Sequence, residues 1–412
     1  MDKTILLMGT MDTKEEELLF CRELIHRRGF KVLLLDAGIL QDPRTPADIT
    51  RQEVAGAAGV SDLESLLARG DKGKCIATMI LGVTAKTREL FHRKAFDGIL
   101  GMGGGQGTDI CASAMRSVPR GIPKLLVSTI ASGKATFGPY VGTKDIAVMH
   151  SIVDLQGLNF VTRQILGNAV GAICGMVATR EEMETKPRGI PVALSMLGTT
   201  TPGALRMKAT LERRGYEVVA FHQNGTGGIA MEEMIREGAF RGVLDLNLHE
   251  IGDRFVGGLH SDPQKERLEA AGEMGIPQVI APGSINYAVW GPFPSLPGEL
   301  KARKYIIHNP NMTLVRLSPE ELRSVGKLTA EKINRAKGPT RVFIPLRGFS
   351  YPDRENLPHW EPEGNRAFIE SLKAQLRPSI PLKELDAHIN DPEFIDAVAD
   401  AFLSMMDKFS AG

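Results

Sequence analysis

Two glycine-rich turns are the features of this chain best suited to binding an anion. The first, Gly101–Asp109, follows the apolar run Phe96–Leu100, and the second, Asn224–Gly228, follows Tyr216–Phe221. Glycine lets the backbone approach a ligand closely, and a helix that begins at such a turn directs unpaired N–H groups and its positive dipole end outward. The turns therefore predict phosphate or carboxylate binding, with tight strand-to-helix connections that hold no ligand as the alternative. Neither turn matches the strict dinucleotide or P-loop fingerprint.

Residues at the ends of other strand-like runs are predicted to complete a nucleotide site. Thr10, Asp12 and Thr13 follow the first run, where they would grip a phosphate or simply cap a helix. Asp36 ends the second run, where a carboxylate accepts hydrogen bonds from ribose hydroxyls or forms a turn. Lys134 would neutralise phosphate charge or remain a solvated lysine. The predicted cofactor-binding set is Thr10, Asp12, Thr13, Asp36, Gly103, Gly104, Gly105, Gln106, Gly107, Thr108, Thr129, Lys134, Gly225, Thr226, Gly227 and Gly228.

The second half of the chain carries the predicted catalytic candidates His249, Glu250 and Arg347. If His249 converges with His222 and Asp245, the three would form a metal or acid–base site, and hydrogen-bonded structural histidines are the alternative. His249 and Glu250 are adjacent, so on a continuing strand they would point to opposite faces. Arg347 would bind a carboxylate or phosphate, or form an ion pair between lobes.

Composition excludes several classes of protein. The chain has 412 residues, 42% of them hydrophobic, and its formal net charge of +1 gives no electrostatic footprint for nucleic acid or an anionic membrane. The first residues, Met1-Asp2-Lys3, lead directly into a strand-like pattern, so we expect no signal peptide, and no run approaches the roughly 20 apolar residues that span a bilayer. The four cysteines are widely separated, which favours reduced thiols. We therefore expect a cytoplasmic protein without nucleic-acid or membrane partners.

Strand-like and helix-like patterns alternate along the chain, which predicts parallel sheets with helices on both faces. The polar stretch Arg180–Pro191 is the best boundary, and motifs repeat across it: Met8-Gly9-Thr10 is echoed by Leu197-Gly198-Thr199. We predict an α/β protein of two Rossmann-like lobes, residues 1–183 and 184–412, with a ligand cleft between them. The amphipathic segment Pro392–Phe409 is expected to form a last helix that packs back on the first lobe.

A run of spaced glycines lies in the apolar segment Asn159–Thr179, which is predicted to be one helix. Gly167, Gly171 and Gly175 fall four residues apart, on one face of that helix. In a segment of this length we interpret them as sites of close backbone packing, against the sheet or another subunit, rather than as a membrane-dimer signal.

Five segments in order resemble one known family: Met8–Lys14, Gly103–Thr108, Phe221–Gly228, Pro282–Ser284 and Pro345–Ser350. The chain resembles, over essentially its whole length, the ATP-binding N-terminal domain of a plant tobamovirus-resistance protein and its uncharacterised bacterial relatives. The resemblance implies two Rossmann-like subdomains, ATP binding and a homodimer. Nucleotide phosphates are placed by it at the first and second of these segments.

The leading hypothesis is a cytoplasmic protein that binds ATP or a related nucleotide, together with Mg²⁺ that phosphates bring, in its first lobe. An enzyme that acts on a small anionic metabolite in the cleft between lobes is the alternative. A third hypothesis is an interaction protein whose lobes close on the nucleotide. The sequence leaves open whether a reaction is catalysed.

Overall fold

The computed structural model describes residues 3–68, 70–132, 138–180, 186–260 and 266–410. The chain divides into two compact units, Met1–Thr185 and Lys186–Gly412. Each unit contains a parallel sheet covered by helices on both faces. The predicted α/β class with two Rossmann-like lobes is confirmed.

The first unit is built on a five-stranded parallel sheet of order β2-β1-β3-β4-β5. Its strands are β1 (Thr4–Gly9), β2 (Lys31–Asp36), β3 (Gly98–Gly103), β4 (Lys124–Ser128) and β5 (Ala147–His150). Its helices are α1 (Met11–Arg27), α2 (Arg51–Ala57), α3 (Leu63–Ala68), α4 (Lys72–His92), α5 (Gly105–Arg116), α6 (Gly138–Val141) and α7 (Phe160–Thr179).

Alternation along β1 explains the two layers of helices. Ile5 and Leu7 point into a core formed with α1 and α7, whereas Leu6 and Met8 point into a core formed with α4 and α5. Both faces of the strand are therefore apolar, as is typical of a parallel sheet.

The second unit has a six-stranded parallel sheet of order β14-β13-β9-β8-β6-β7 and an antiparallel sheet of order β10-β12-β11. Its strands are β6 (Ile190–Met196), β7 (Tyr216–His222), β8 (Gly242–Asn247), β9 (Gln278–Gly283), β10 (Tyr287–Trp290), β11 (Tyr305–Asn309), β12 (Met312–Arg316), β13 (Thr340–Pro345) and β14 (Leu382–Leu385). Its helices are α8 (Thr201–Glu212), α9 (Gly227–Arg236), α10 (His249–Val256), α11 (Ala270–Met274), α12 (Gly298–Lys301), α13 (Pro319–Ile333), α14 (Pro362–Gln375) and α15 (Pro392–Ser410).

The two units begin with the same strand arrangement. The order β2-β1-β3 in the first unit corresponds to β7-β6-β8 in the second. The repeated motifs lie at similar places, Met8-Gly9-Thr10 at the end of β1 and Leu197-Gly198-Thr199 directly after β6. The last helix, α15, packs against α8 and the sheet of its own unit.

The glycines of α7 do not pack against the sheet. A Cβ atom added at Gly167 or Gly175 would meet no described heavy atom within 4 Å, and one at Gly171 would only reach the Arg28 guanidinium at 4.0 Å. The prediction that they allow close packing on the sheet is therefore wrong. The buried face of α7 consists instead of larger apolar residues, such as Leu166 and Ile173.

Helix α7 is, within the described part of the chain, the one helix long and apolar enough to cross a membrane by length and composition. In the apolar stretch of this helix, 44% of the residues are buried inside the first unit. A core helix meets the same criterion, so the measure is weak evidence for a membrane span.

Candidate functional site

The candidate site lies where the strand order of the first sheet reverses. The chain moves from β1 outward to β2 and then returns to β3 on the other side of β1. In open α/β sheets, ligands bind at this switch point, beyond the carboxyl ends of the two central strands. A pocket of about 350 Å³ lies there. It is lined by Thr10, Asp12, Thr13, Lys14, Ile39, Leu40, Lys72, Gly104, Gly105, Gln106 and Gly107. We call it the switch-point pocket.

One wall of the pocket is the beginning of α5, which offers backbone N–H groups. The first hydrogen bond of this helix runs from Thr108 N–H to the Gly104 carbonyl, at 2.8 Å. The N–H groups of Gly105, Gln106 and Gly107 come before it, and no described residue accepts a hydrogen bond from them. A Cβ atom at Gly105 would meet nothing within 4 Å, so the helix start is open. Such a helix start can bind an anion.

Gly103, Thr108 and Thr129 support this helix start from behind. Gly103 packs so closely that a Cβ atom there would lie 2.5 Å from Gly107 Cα. Thr108 is buried, and its hydroxyl forms a 2.7 Å hydrogen bond with Ser128 Oγ. Thr129 donates its N–H to the Gly103 carbonyl at 3.2 Å. These residues position the open amides rather than line the pocket.

The opposite wall is the beginning of α1, whose first residue is Met11. Thr10 is the residue preceding the helix, and its carbonyl accepts N–H groups from Thr13 and Lys14 at 3.1 and 2.9 Å. The hydroxyls of Thr10 and Thr13 form a 2.9 Å hydrogen bond with each other. Two hydroxyls therefore face the amides of α5 across the pocket.

Asp12 and Asp36 fasten the loop after β2 to the start of α1. Asp12 Oδ2 accepts the N–H groups of Ile39 and Leu40, both at 2.8 Å. Asp36 Oδ1 accepts those of Met11 and Gly38 at 2.9 and 2.8 Å. Burial raises the pKa of Asp36, which is 1% exposed. Asp36 therefore holds the wall of the pocket without lining it, whereas Asp12 lines the pocket itself.

No metal centre is preformed within the described ranges. No group of three or more histidine, cysteine, aspartate or glutamate side chains there could hold an ion. Asp12 is the carboxylate in the switch-point pocket, and its Oδ1 has no hydrogen-bond partner. A magnesium ion would have to obtain most of its oxygen ligands from a phosphate group and water. Lys134 lies outside the described residues.

The second glycine turn is occupied by a carboxylate of the protein itself. Glu250 Oε1 accepts the N–H groups of Gly225 and Gly228 at 2.8 and 3.3 Å. A Cβ atom at Gly228 would lie 1.8 Å from Glu250 Oε2, and one at Gly227 would lie 1.9 Å from the His222 carbonyl oxygen. Thr226 is exposed and donates its hydroxyl to Asn224 at 3.3 Å. The glycines are required here, but for an internal anion.

Arg267 neutralises that carboxylate at the centre of a buried ionic cluster. Its Nε donates to Glu250 at 2.7 Å, and its terminal nitrogens donate to Glu232 at 2.7 Å and Asp245 at 3.1 Å. Gln223 Oε1 accepts two further hydrogen bonds at 2.8 and 3.1 Å. Burial raises the pKa of Glu250 and the Arg267 charge opposes that shift. Glu250 is thus a structural group and not an open acid or base.

The switch point of the second unit, between β6 and β8, is filled by side chains. Asn247 donates through Nδ2 to Thr200 Oγ1 at 2.9 Å and to Ser284 Oγ at 2.8 Å. The Asn247 side-chain oxygen accepts the N–H of His249, at the start of α10, at 3.2 Å. The position that is open in the first unit is therefore closed in the second.

His249 is a fully buried histidine. Its Nδ1 lies 3.3 Å from the Ser284 carbonyl, and its Nε2 lies 3.6 Å from Asp253 Oδ1. The rings of His260 and Tyr287 lie 5.4 and 4.9 Å from its own. Burial lowers the pKa of His249 to about 3 and raises that of Asp253 to about 7. The predicted partner Asp245 belongs to the Arg267 cluster instead.

The buried histidines predict that the second unit loses stability in acid. Burial lowers the pKa values of His249 and His359 to about 3 and that of His260 to about 4. As the pH falls from 6.5 to 5, each stays neutral when folded but gains a proton on unfolding, so each lowers the unfolding free energy by up to about 1.4 kcal/mol per pH unit. Asp253, protonated in the fold below its pKa of about 7, contributes the opposite slope.

The net expectation is a loss of stability that steepens to roughly 3 kcal/mol per pH unit near pH 5, measured by urea unfolding at several pH values. His359→Gln should reduce the slope, whereas His92→Gln, at an exposed position on α4, should not. A flat profile between pH 6.5 and 5 would contradict the prediction.

Arg347 lies on the surface, apart from the other two catalytic candidates. It forms a bidentate ion pair with Asp386, at 2.8 and 2.6 Å, and both side chains are more than half exposed. His249 and Glu250 are buried on α10 with separate partners. The structure does not bring the three candidates together into one reaction centre.

Comparison with known proteins gives the family. Residues 3–182 match the N-terminal domain of the uncharacterised protein family UPF0261, and residues 190–406 match its C-terminal domain. The chain belongs to this family. A UPF0261 protein of Clostridium tetani is 40% identical and aligns over 99% of this chain and 100% of its own. One from Rhizobium meliloti is 36% identical, over 97% and 98%.

A plant relative also matches the chain. The "ToMV susceptible protein tm-1(GCR26)" of Solanum lycopersicum is 34% identical over 98% of this chain, which spans 56% of the plant protein. The predicted relationship to the plant and bacterial proteins is confirmed. Solved structures are more distant: MurG of Acinetobacter baumannii has a TM-score of 0.22 at 11% identity, covering 98% of this chain and 100% of MurG. A likeness at that TM-score supports no inference about this chain.

In this UPF0261 chain, two lysines that line the switch-point pocket are not among the residues predicted from the sequence. Lys14 follows the recognised Thr10–Thr13 stretch directly, so its position after a phosphate-suited motif was a usable signal. Lys72 comes from the start of α4, far along the chain from either wall. Nothing local in the sequence marks that residue. Both add positive charge to the pocket.

Proposed function

We propose that the first unit binds ATP or a related nucleotide, with the phosphates in the switch-point pocket. The observation that carries this proposal is the combination of open amides at the start of α5 with Lys14 and Lys72 in one pocket. Amides and lysines are suited to phosphate oxygens, and the pocket occupies the position at which α/β sheets bind ligands. The resemblance to an ATP-binding domain supports the choice of nucleotide.

Each wall of the pocket has a part in this proposal. The N–H groups of Gly105, Gln106 and Gly107 donate to phosphate oxygens, and the hydroxyls of Thr10 and Thr13 donate from the opposite side. Asp12, which lines the pocket, contacts the hydration shell of a magnesium ion that the phosphates carry. We also propose that the protein is cytoplasmic and that it forms a homodimer. Sedimentation of the purified protein would test the dimer.

Isothermal titration with ATP, ADP and a sugar phosphate tests the proposal. We expect one nucleotide per chain, because the corresponding position of the second unit is closed by Asn247 and its partners. Absence of binding by any nucleotide, with or without Mg²⁺, would refute the proposal. Two nucleotides per chain would refute the assignment to a single open site.

Lys72→Ala is expected to weaken ATP binding by about tenfold or more, because a charge-assisted hydrogen bond to phosphate is lost. The matched control is Lys74→Ala, which removes the same charge from the same helical turn at a residue outside the pocket. Titration at two salt concentrations should show a weaker salt dependence for Lys72→Ala than for the control. Equal affinities for the two variants would mean that Lys72 does not contact the phosphates.

A further inference from the structure

A second pocket adjoins the first and has the opposite charge. It has a volume of about 470 Å³ and shares Asp12 and Thr13 with the switch-point pocket. We call it the acidic pocket. Its walls are Met11, Asp12, Thr13, Glu15, Glu16, Glu17, Gln41, Asp42, Pro43, Arg44, Gln156 and Gly157. Five carboxylates and one guanidinium therefore surround a space directly beside the proposed phosphate site.

We propose that the acidic pocket receives the other end of the same ligand, and that this end carries hydrogen-bond donors such as sugar hydroxyls or amino groups. This inference rests on the proposed function and specifies which class of phosphorylated molecule fits. A molecule with a second anionic group at its far end is excluded, because that group would meet the carboxylates.

Glu17 is the observation that points to a bound group. Its side chain is buried, at 1% exposure, yet it lines the acidic pocket. One carboxylate oxygen accepts the Gly157 N–H at 2.7 Å, and the other makes no hydrogen bond to any described residue. A buried carboxylate is costly unless donors satisfy its oxygens. The free oxygen opens to the pocket, where water can satisfy it, and a ligand hydroxyl or amine takes the place of that water.

Two of the neighbouring carboxylates, Glu15 and Asp42, have lowered pKa values and are charged at neutral pH. Hydrogen bonds from the Thr45 and Arg44 backbone N–H groups outweigh the effect of burial and lower the pKa of Glu15. Hydrogen bonds from Gln52 and Arg51 lower the pKa of Asp42. Arg44 is the cation in this wall, and it already contacts Glu15 at 3.3 Å. The acidic pocket therefore keeps a negative field that favours donors and repels anions.

Glu17→Gln tests the inference with two probes, ATP and inorganic tripolyphosphate. Glutamine keeps the shape and can still accept the Gly157 N–H, but it removes the charge. We expect ATP affinity to fall about tenfold, while tripolyphosphate affinity stays unchanged or rises, because it occupies only the switch-point pocket. Glu23→Gln is the control, since Glu23 lies on α1 outside both pockets and pairs with Arg27. Thermal unfolding of each variant confirms that it is folded.

The outcomes separate this inference from the proposed function. Tripolyphosphate that binds the parent protein as tightly as ATP, or equal losses for both probes in Glu17→Gln, would overturn the inference and leave anion binding intact. If Glu17→Gln fails to fold, Glu16→Gln serves in its place, because Glu16 lines the same pocket and is exposed. Failure of both probes to bind the parent protein would overturn the proposed function itself.

Discussion

Replacing Arg267 by methionine is expected to lower the unfolding free energy of the second unit by about 3–5 kcal/mol. Three carboxylates, those of Glu232, Asp245 and Glu250, share this one guanidinium inside the protein. Methionine has a similar length but no charge, so it leaves these groups buried without their cation. Chemical denaturation monitored by circular dichroism would measure the loss.

The control for this experiment is Arg347→Met. Arg347 forms a bidentate ion pair of good geometry, but the pair is exposed to solvent. Exposed pairs contribute little to stability, so the unfolding midpoint should hardly change. A similar loss for both variants would show that the buried cluster is no more important than a surface pair. Arg267→Lys should also destabilise the unit, because one ammonium cannot reproduce hydrogen bonds to four partners.

The second large effect is expected from Gly103→Ala, which should weaken nucleotide binding about 10- to 100-fold. The new Cβ atom would lie 2.5 Å from Gly107 and 2.8 Å from Thr108 N. The start of α5 must shift to relieve these contacts, and the open amides shift with it. Titration with ATP measures the affinity, and thermal unfolding measures the accompanying loss of stability.

Gly105→Ala is the control for Gly103→Ala. It adds the same methyl group to the turn at a position where that group meets no other described atom of the protein. A Cβ atom there meets nothing within 4 Å, so the fold should be kept. Unchanged ATP affinity in Gly103→Ala would contradict the assigned role of the turn. Lower affinity in a stable Gly105→Ala variant would instead place the ligand against that carbon.

The architecture was predictable because it depends on local patterns. Apolar strands such as Thr4–Gly9, each followed by a turn and a helix, require a parallel sheet, and the glycine turns mark where strands end. The strand order was not predictable from such patterns, because β3 pairs with β1 only after a 61-residue connection from β2, residues 37–97. That pairing creates the switch-point pocket.

The site was predictable only in part, for a physical reason. Sequence identifies which residues have suitable chemistry, and Thr10, Asp12 and Gly104–Gly107 do meet in one pocket. It does not reveal which suitable groups are already satisfied by the protein. Glu250 and the glycines of the second turn satisfy each other, and Arg267, their partner, had no motif to mark it. The same limit applies to Asp36, whose hydrogen bonds to backbone groups are invisible in the sequence.

The carboxylate of Glu250 permanently occupies the second glycine turn, in the place that a bound anion would take. A protein engineer who wanted to create a second anion site in this chain could not simply delete that side chain. Removing Glu250 alone would take one acceptor from Arg267 and leave the N–H groups of Gly225 and Gly228 without theirs, and removing both would leave Glu232 and Asp245 buried without their cation. All members of the ionic cluster would have to be replaced together. No single substitution would therefore convert the second glycine turn into an open anion site like that of the first unit.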